Sequence, residues 1–174
     1  LSNWSGKAIA APRAELSQLL NRPELNKPGI YFLLGQDPET GKNQGYIGEA
    51  EVLKDRLRQH RSKDFWSQAI VFLSKDENLT KAHIRYLEGR LISLAKNIGR
   101  IEIANQQGSG ASLPESDQAD MEVYLSNIRH LLPVLGTNIV TPLIGNEQET
   151  STDDSVLVCK IGDLRGLGKR TATG

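Results

Sequence analysis

Cysteine is almost absent from this chain of 174 residues: Cys159 is the only one, which excludes an internal disulfide and any thiolate cluster. That fits a reducing compartment, argues against structural zinc and makes the cytoplasm the expected location. Long apolar runs are missing too. The longest, such as residues 69–73, fall far short of the ~20 residues that span a bilayer. No charged, apolar and small-residue series at the start marks a signal peptide, so no membrane contact is expected. Net charge is also lacking, because 21 basic and 21 acidic residues cancel, whereas a protein that coats nucleic acid is usually basic. There is no internal repeat, no low-complexity tract and no HExxH, CxxC, EF-hand or Walker pattern. A dedicated zinc or calcium cage and a nucleoside triphosphate site are therefore not expected.

What is present is an ordinary globular composition, 38% hydrophobic and 24% charged, in a chain long enough to bury roughly 70% of its extended surface. The charges cancel overall but are segregated. Lys54, Arg56, Arg58, Arg61 and Lys63 fall in one stretch whose only acid is Asp55, while Glu147, Glu149, Asp153 and Asp154 crowd another. The chain begins at Leu1 and not at Met, as expected of a processed or truncated piece.

Residues 1–28 read as an N-terminal extension: an edge strand over 4–11, then a helix over 13–21 with Leu16, Leu19 and Leu20 at helical spacing after Pro12. Residues 29–136 read as the main domain. Apolar residues 30–34 form a strand, residues 35–45 a polar loop with Asp-Pro and Thr-Gly turn signals, and residues 46–48 the returning strand of an antiparallel hairpin. A helix follows over 51–61, with Val52, Leu53 and Leu57 inward and Arg56 and His60 bordering that face. Residues 69–73, introduced by Phe65 and Trp66, add a further strand. The fold class expected is α+β, a small antiparallel sheet of about three strands flanked by helices.

A second helix starts near Thr80, a suitable N-cap, with Leu79 and Ile84 placed as a hydrophobic staple. Its apolar stripe is Ile84, Leu87, Leu91, Leu94 and Ala95, and Glu88 stands inside it. A bare carboxylate there is costly to desolvate, so it has to be paired, protonated or bound to a cation. After a loop over 106–115, a helix with Met121, Tyr124, Leu125, Ile128 and Leu132 on one stripe reads as a lid packed on the sheet. Residues 137–174 read as an acidic linker, a short strand over 156–161 and the start of an accessory module.

The most informative pattern is an ordered set. Gly29-Ile30-Tyr31 and Tyr46-Ile47-Gly48 place two tyrosines fifteen residues apart; Arg56 follows ten after the second, His60 four later, and then Glu88 and Asn105. Each tripeptide alone is common in strands, but the joint spacing resembles the GIY-YIG nuclease superfamily over residues 29–105. The stretch 79–84 and the helix after Asn105 are similar to a less-studied bacterial and phage branch of it.

The resemblance implies a small α+β nuclease domain that hydrolyses phosphodiester bonds in DNA, most naturally double-stranded. In that scheme Tyr31 is the general base, Arg56 stabilises the scissile phosphate, and Tyr46 and His60 position the water and Tyr31. Glu88 holds one Mg²⁺, for which Mn²⁺ can substitute, and Asn105 braces the site, with Asn97 as the other candidate. Lys54, Arg58, Arg61, Lys63 and Lys81 are the expected nucleic-acid contacts. A tyrosine of ordinary pKa, about 10, is a poor base at neutral pH, so this role requires neighbouring cations to favour the phenolate. Two other readings stand beside it: a catalytically silent nucleic-acid binding module, and an interaction domain in which Glu88 pairs with Arg56.

Overall fold

Residues 30–34 are apolar or aromatic without interruption, the pattern of a strand covered on both faces. The computed structural model describes residues 4–76, 78–105 and 110–142, together with the backbone of residues 157–161 and 164–168. In it, strand β2 (Gly29–Gln36) is buried from Gly29 to Leu34. Its side chains alternate as a pleat requires. Ile30, Phe32 and Leu34 enter one apolar cluster, and Tyr31 and Leu33 enter the other.

Around β2 are β1 (Gly6–Pro12), β3 (Asn43–Ala50), β4 (Trp66–Ser74) and the two-residue β5 (Glu102–Ile103), in the order β1-β4-β2-β3-β5. The first four are antiparallel to their neighbours. The sheet is thus larger than the expected three strands, and it is mixed, because β5 runs parallel to β3 at Gln44 and Gly45. The N-terminal strand is a full member, paired with β4 from Gly6 to Pro12.

Helices α1 (Leu16–Leu20) and α2 (Leu53–Gln59) contribute Leu16, Leu19, Leu53 and Leu57 to the layer on the Tyr31 side. Helices α3 (Lys81–Ile98) and α4 (Glu115–Val134) cover the other side. Helix α3 starts as expected at Thr80, whose hydroxyl accepts the His83 N–H while the His83 ring accepts the Thr80 N–H, a capping box with histidine in the third position. Leu79 and Ile84 are both buried in the same cluster. The stripe expected for α4 is buried throughout. Val52, read as an inward helical residue, instead precedes α2 and is exposed.

Ile139 and Val140, in a stretch read as polar linker, are buried against the core. They follow Pro133 and a turn at Gly136 that brings the chain back over α4. The chain divides into two units, Leu1–Leu143 and Ile144–Gly174. In the second, β6 (Leu157–Ile161) pairs antiparallel with β7 (Leu164–Gly168), where a strand was expected; the acidic cluster at 147–154 lies outside the described residues. Among the described residues, no helix is long and apolar enough to cross a membrane.

Phe32 is fully buried and meets Phe72 edge-on, ring centroids 5.8 Å apart. Phe32→Ala should cost about 3–5 kcal/mol, read as a lower urea midpoint with an unchanged slope.

Candidate active site

The antiparallel register of β2 and β3 sets Tyr31 opposite Gly48 and Leu33 opposite Tyr46. Tyr31 and Tyr46 are therefore diagonal neighbours on one face, and their rings stack with centroids 5.9 Å apart. The two glycines of the tripeptides have steric reasons. A Cβ on Gly48 would stand 2.3 Å from the Tyr31 hydroxyl oxygen, so the Tyr31 ring lies where only glycine leaves room. A Cβ on Gly29 would stand 2.3 Å from the Phe72 carbonyl oxygen.

At the end of α2, His60 closes the ring cluster. Its Nε2 lies 2.8 Å from the Tyr31 hydroxyl, and its ring centroid is 5.0 Å from that of Tyr46. His60 is 5% exposed, and burial, with Lys63 and Arg56 nearby, pushes its pKa down to about 4. It is therefore a neutral imidazole at pH 7, not a helix-terminal cation. If the Tyr31 hydroxyl donates to Nε2, the ring proton sits on Nδ1, which is buried without a hydrogen-bond partner among the described residues. Tyr31 itself is fully buried. Burial first, and the neighbouring Tyr46 next, push its phenol well above the usual range; Arg56 works in the opposite direction without prevailing. The expectation that cations favour the phenolate does not hold for the protein by itself.

Arg56 is exposed, donates to Gln59 Oε1 at 3.2 Å and stands beside the Tyr31 oxygen. It lines a shallow depression of about 330 Å³ together with Glu49, Ala50, Glu51, Val52, Asp55 and Gln59. Asn105 is tied to β3: its Nδ2 donates to Ile47 O at 2.6 Å and its Oδ1 accepts from Ile47 N at 3.3 Å. The amide thereby extends the parallel pairing begun by β5. Asn97 is exposed on α3.

Glu88 is half-buried, not enclosed in the stripe. The stripe runs through Ile84, Leu87, Leu91, Ile92 and Ala95, with Leu94 only partly covered. Strand alternation turns Glu49 to the same face as Ile47, the face that α3 covers. Burial and then the Glu88 charge push the Glu49 carboxyl up, offset by Lys81, Arg85 and Arg56. Among the described residues β5 reaches only Gln44 and Gly45, leaving the Gly48–Ala50 end of β3 as a sheet edge at which groups from the two faces approach one another.

Sequence reasoning did not single out Glu49, although period two from Ile47 would have placed it. The two carboxylates suit a hard divalent cation, which would relieve their repulsion. No group of three or more His, Cys, Asp or Glu that could hold a metal is found among the described residues, but Mg²⁺ needs only one or two carboxylates beside waters and a phosphate.

The basic residues are spread more widely. Lys54 and Arg58 share a face of α2 and Arg61 continues it in the 3₁₀ turn His60–Ser62. Arg58 pairs with Asp55 at 3.2 Å. Lys63 holds its ammonium 4.9 Å from the centre of the Tyr46 ring. Lys81 pairs with Glu51 at 2.9 Å, both ends well exposed, a contact of the kind worth little.

Gly48→Ala should drive the Tyr31 ring from its seat and lower stability by about 1–3 kcal/mol, visible in thermal melts and in Tyr31 side-chain resonances. The His60 shift also has a sign. The unfolded ring takes a proton below about 6.5 and the folded one only below about 4, so its contribution is complete above pH 6.5 and is lost as pH falls to 4. Urea titrations across that window should show wild type losing about 3 kcal/mol more than His60→Gln.

Compared with known proteins, the chain matches no family model, no curated protein and no solved structure.

Proposed function

We propose that this chain is a divalent-metal-dependent DNA endonuclease of GIY-YIG type. The observation that carries the reading is the convergence at one end of β2 and β3 of two tyrosines, a neutral histidine and an exposed arginine, with two carboxylates toward α3. That combination supplies a proton acceptor, a cation for a phosphate and oxygen donors for a metal.

In this reading Arg56, exposed in the depression, binds the non-bridging oxygens of the scissile phosphate. Tyr31 accepts the proton of the attacking water while passing its own to His60 Nε2 across their 2.8 Å contact. The phenol then stays neutral throughout, consistent with its burial. Tyr46, half-buried beside both rings, orients that water, and Asn105 fixes the backbone that carries Tyr46. Glu88, with Glu49 beside it, would hold Mg²⁺ or Mn²⁺, which when bound absorbs charge on the phosphate and the leaving oxygen. Lys54, Arg58, Arg61 and Lys63 would follow the DNA backbone past the site, and Lys81 would join them on releasing Glu51.

One observation favours the second reading, a silent DNA-binding module. The Tyr31 hydroxyl, the base in the first reading, is wholly enclosed, while the basic face of α2 is open. Such a module would bind with strong salt dependence, weakened by Arg58→Ala and Arg61→Ala, and would cut nothing.

Supercoiled plasmid incubated with the chain in Mg²⁺, in Mn²⁺ and in chelator distinguishes the two. The nuclease should nick or linearise it only with metal, and Glu88→Ala and Arg56→Ala should each reduce the rate about 10²–10³-fold. A folded chain that binds the plasmid and leaves it uncut in both metals is the silent module.

A further inference from the structure

The connection from α2 to β4 carries His60, Arg61 and Lys63, and it is fastened by a residue far outside the motif. Arg13 opens the 3₁₀ turn Arg13–Glu15 that follows β1. Its Nη1 donates to the carbonyls of Lys63 at 2.5 Å and Trp66 at 3.2 Å. Its Nη2 donates to the carbonyl of Arg61 at 3.0 Å and to the Asp64 carboxylate at 3.2 Å. The guanidinium carbon lies 4.8 Å from the centre of the Trp66 ring. Asp64 is 85% exposed, so that ion pair contributes little. The three carbonyls and the ring face are the substance of the contact. A planar fork of fixed donors meets them together, and an ammonium cannot.

From Trp66 the chain of contacts runs inward. The buried indole N–H donates to His60 O at 3.0 Å, and the Lys63 N–H donates to the same oxygen at 3.1 Å. His60 then presents Nε2 to Tyr31. Arg13 touches none of the reacting groups. It holds the segment whose Lys63 N–H and Trp66 indole fix the His60 carbonyl.

We propose that Arg13 is a positioning residue, clamping residues 61–66 so that the His60 imidazole stays enclosed and aimed at the Tyr31 hydroxyl. Its consequence for cleavage rests on the nuclease reading; the positioning itself does not. Loss of the clamp frees three carbonyls, lets the connection swing outward and admits water to a ring that faces Tyr31, Tyr46, Arg56 and Lys63.

The test uses the full chain with Arg13→Ala, Arg13→Lys and, as a control that removes only the exposed ion pair, Asp64→Asn. Long-range ¹H–¹⁵N spectra of the His60 ring report its tautomer and titration midpoint, and plasmid nicking gives kcat and KM. In Arg13→Ala the midpoint should rise from about 4 toward the ordinary value. There kcat should fall about tenfold with KM within twofold. Arg13→Lys should restore less than half of either change, and Asp64→Asn should leave both as in wild type. Arg13 variants that melt earlier yet keep the wild-type tautomer, midpoint and kcat overturn the proposal. Should Arg13→Ala fail to fold, Arg13→Lys carries the same comparison. If the wild type does not cut DNA, the nuclease reading fails, and the ring spectra still decide the positioning.

Discussion

The hydrogen bond between Tyr31 and His60 lies where β2, β3, α2 and the turn after α2 meet, and each of those elements is constrained by it. Tyr31 reaches the bond only because Gly48 has no side chain. His60 reaches it only because α2 ends in a 3₁₀ turn whose carbonyl is taken by the Trp66 indole. Trp66 in turn begins the strand that pairs with β2 on its other side. The pair is thus enclosed by the same packing that makes β2 the double-covered strand of the sheet. Its burial keeps the imidazole uncharged, since a charged ring would have to be desolvated in an apolar layer beside two cations.

The sheet also brings groups from its opposite faces to one rim. Tyr31 and Tyr46 point to the α2 layer, and Glu49 points to the α3 layer that carries Glu88. In the middle of a wide sheet these would be separated by its thickness. Here β3 has an outer neighbour among the described residues only from Gln44 to Ile47, the last of these through the Asn105 amide. Beyond that, the strand's rim is bordered by Arg56 on one side and Glu49 on the other, and both line the same depression.

Much of this was legible in the sequence, for reasons that differ by residue. The hairpin was readable from an apolar run broken by turn signals, and α3 from Thr80 with its flanking Leu79 and Ile84, because these are short-range rules. The depth of Glu88 was misread because helical periodicity gives an angle but not the position of the sheet edge that the helix lies across. Strand β5 has two residues, too few for any period to show, and its parallel pairing is extended by an asparagine amide acting as backbone. The burial of Ile139 and Val140 was hidden by polar neighbours. Arg13 was not singled out, because its partners are main-chain carbonyls some fifty residues later in the chain, and carbonyls leave no trace in a sequence.

The proton inventory of the pair sets a condition on any chemistry it performs. Moving the Tyr31 proton to His60 in the resting protein would create a phenolate and an imidazolium together in a buried layer. Both groups resist it, the phenol because burial raises its pKa and the ring because burial and two neighbouring cations lower its own. If a water gives its proton to the Tyr31 oxygen in the same event, the phenol remains neutral and the negative charge appears on the attacking oxygen instead. In the proposed nuclease that charge would develop toward Arg56 and the open rim, where a guanidinium could meet it. The imidazolium left behind is then the only charge formed inside. In the proposed nuclease the pair would stay inert until a phosphodiester occupied the depression, and its burial, which disfavours a free tyrosinate base, is compatible with a coupled transfer.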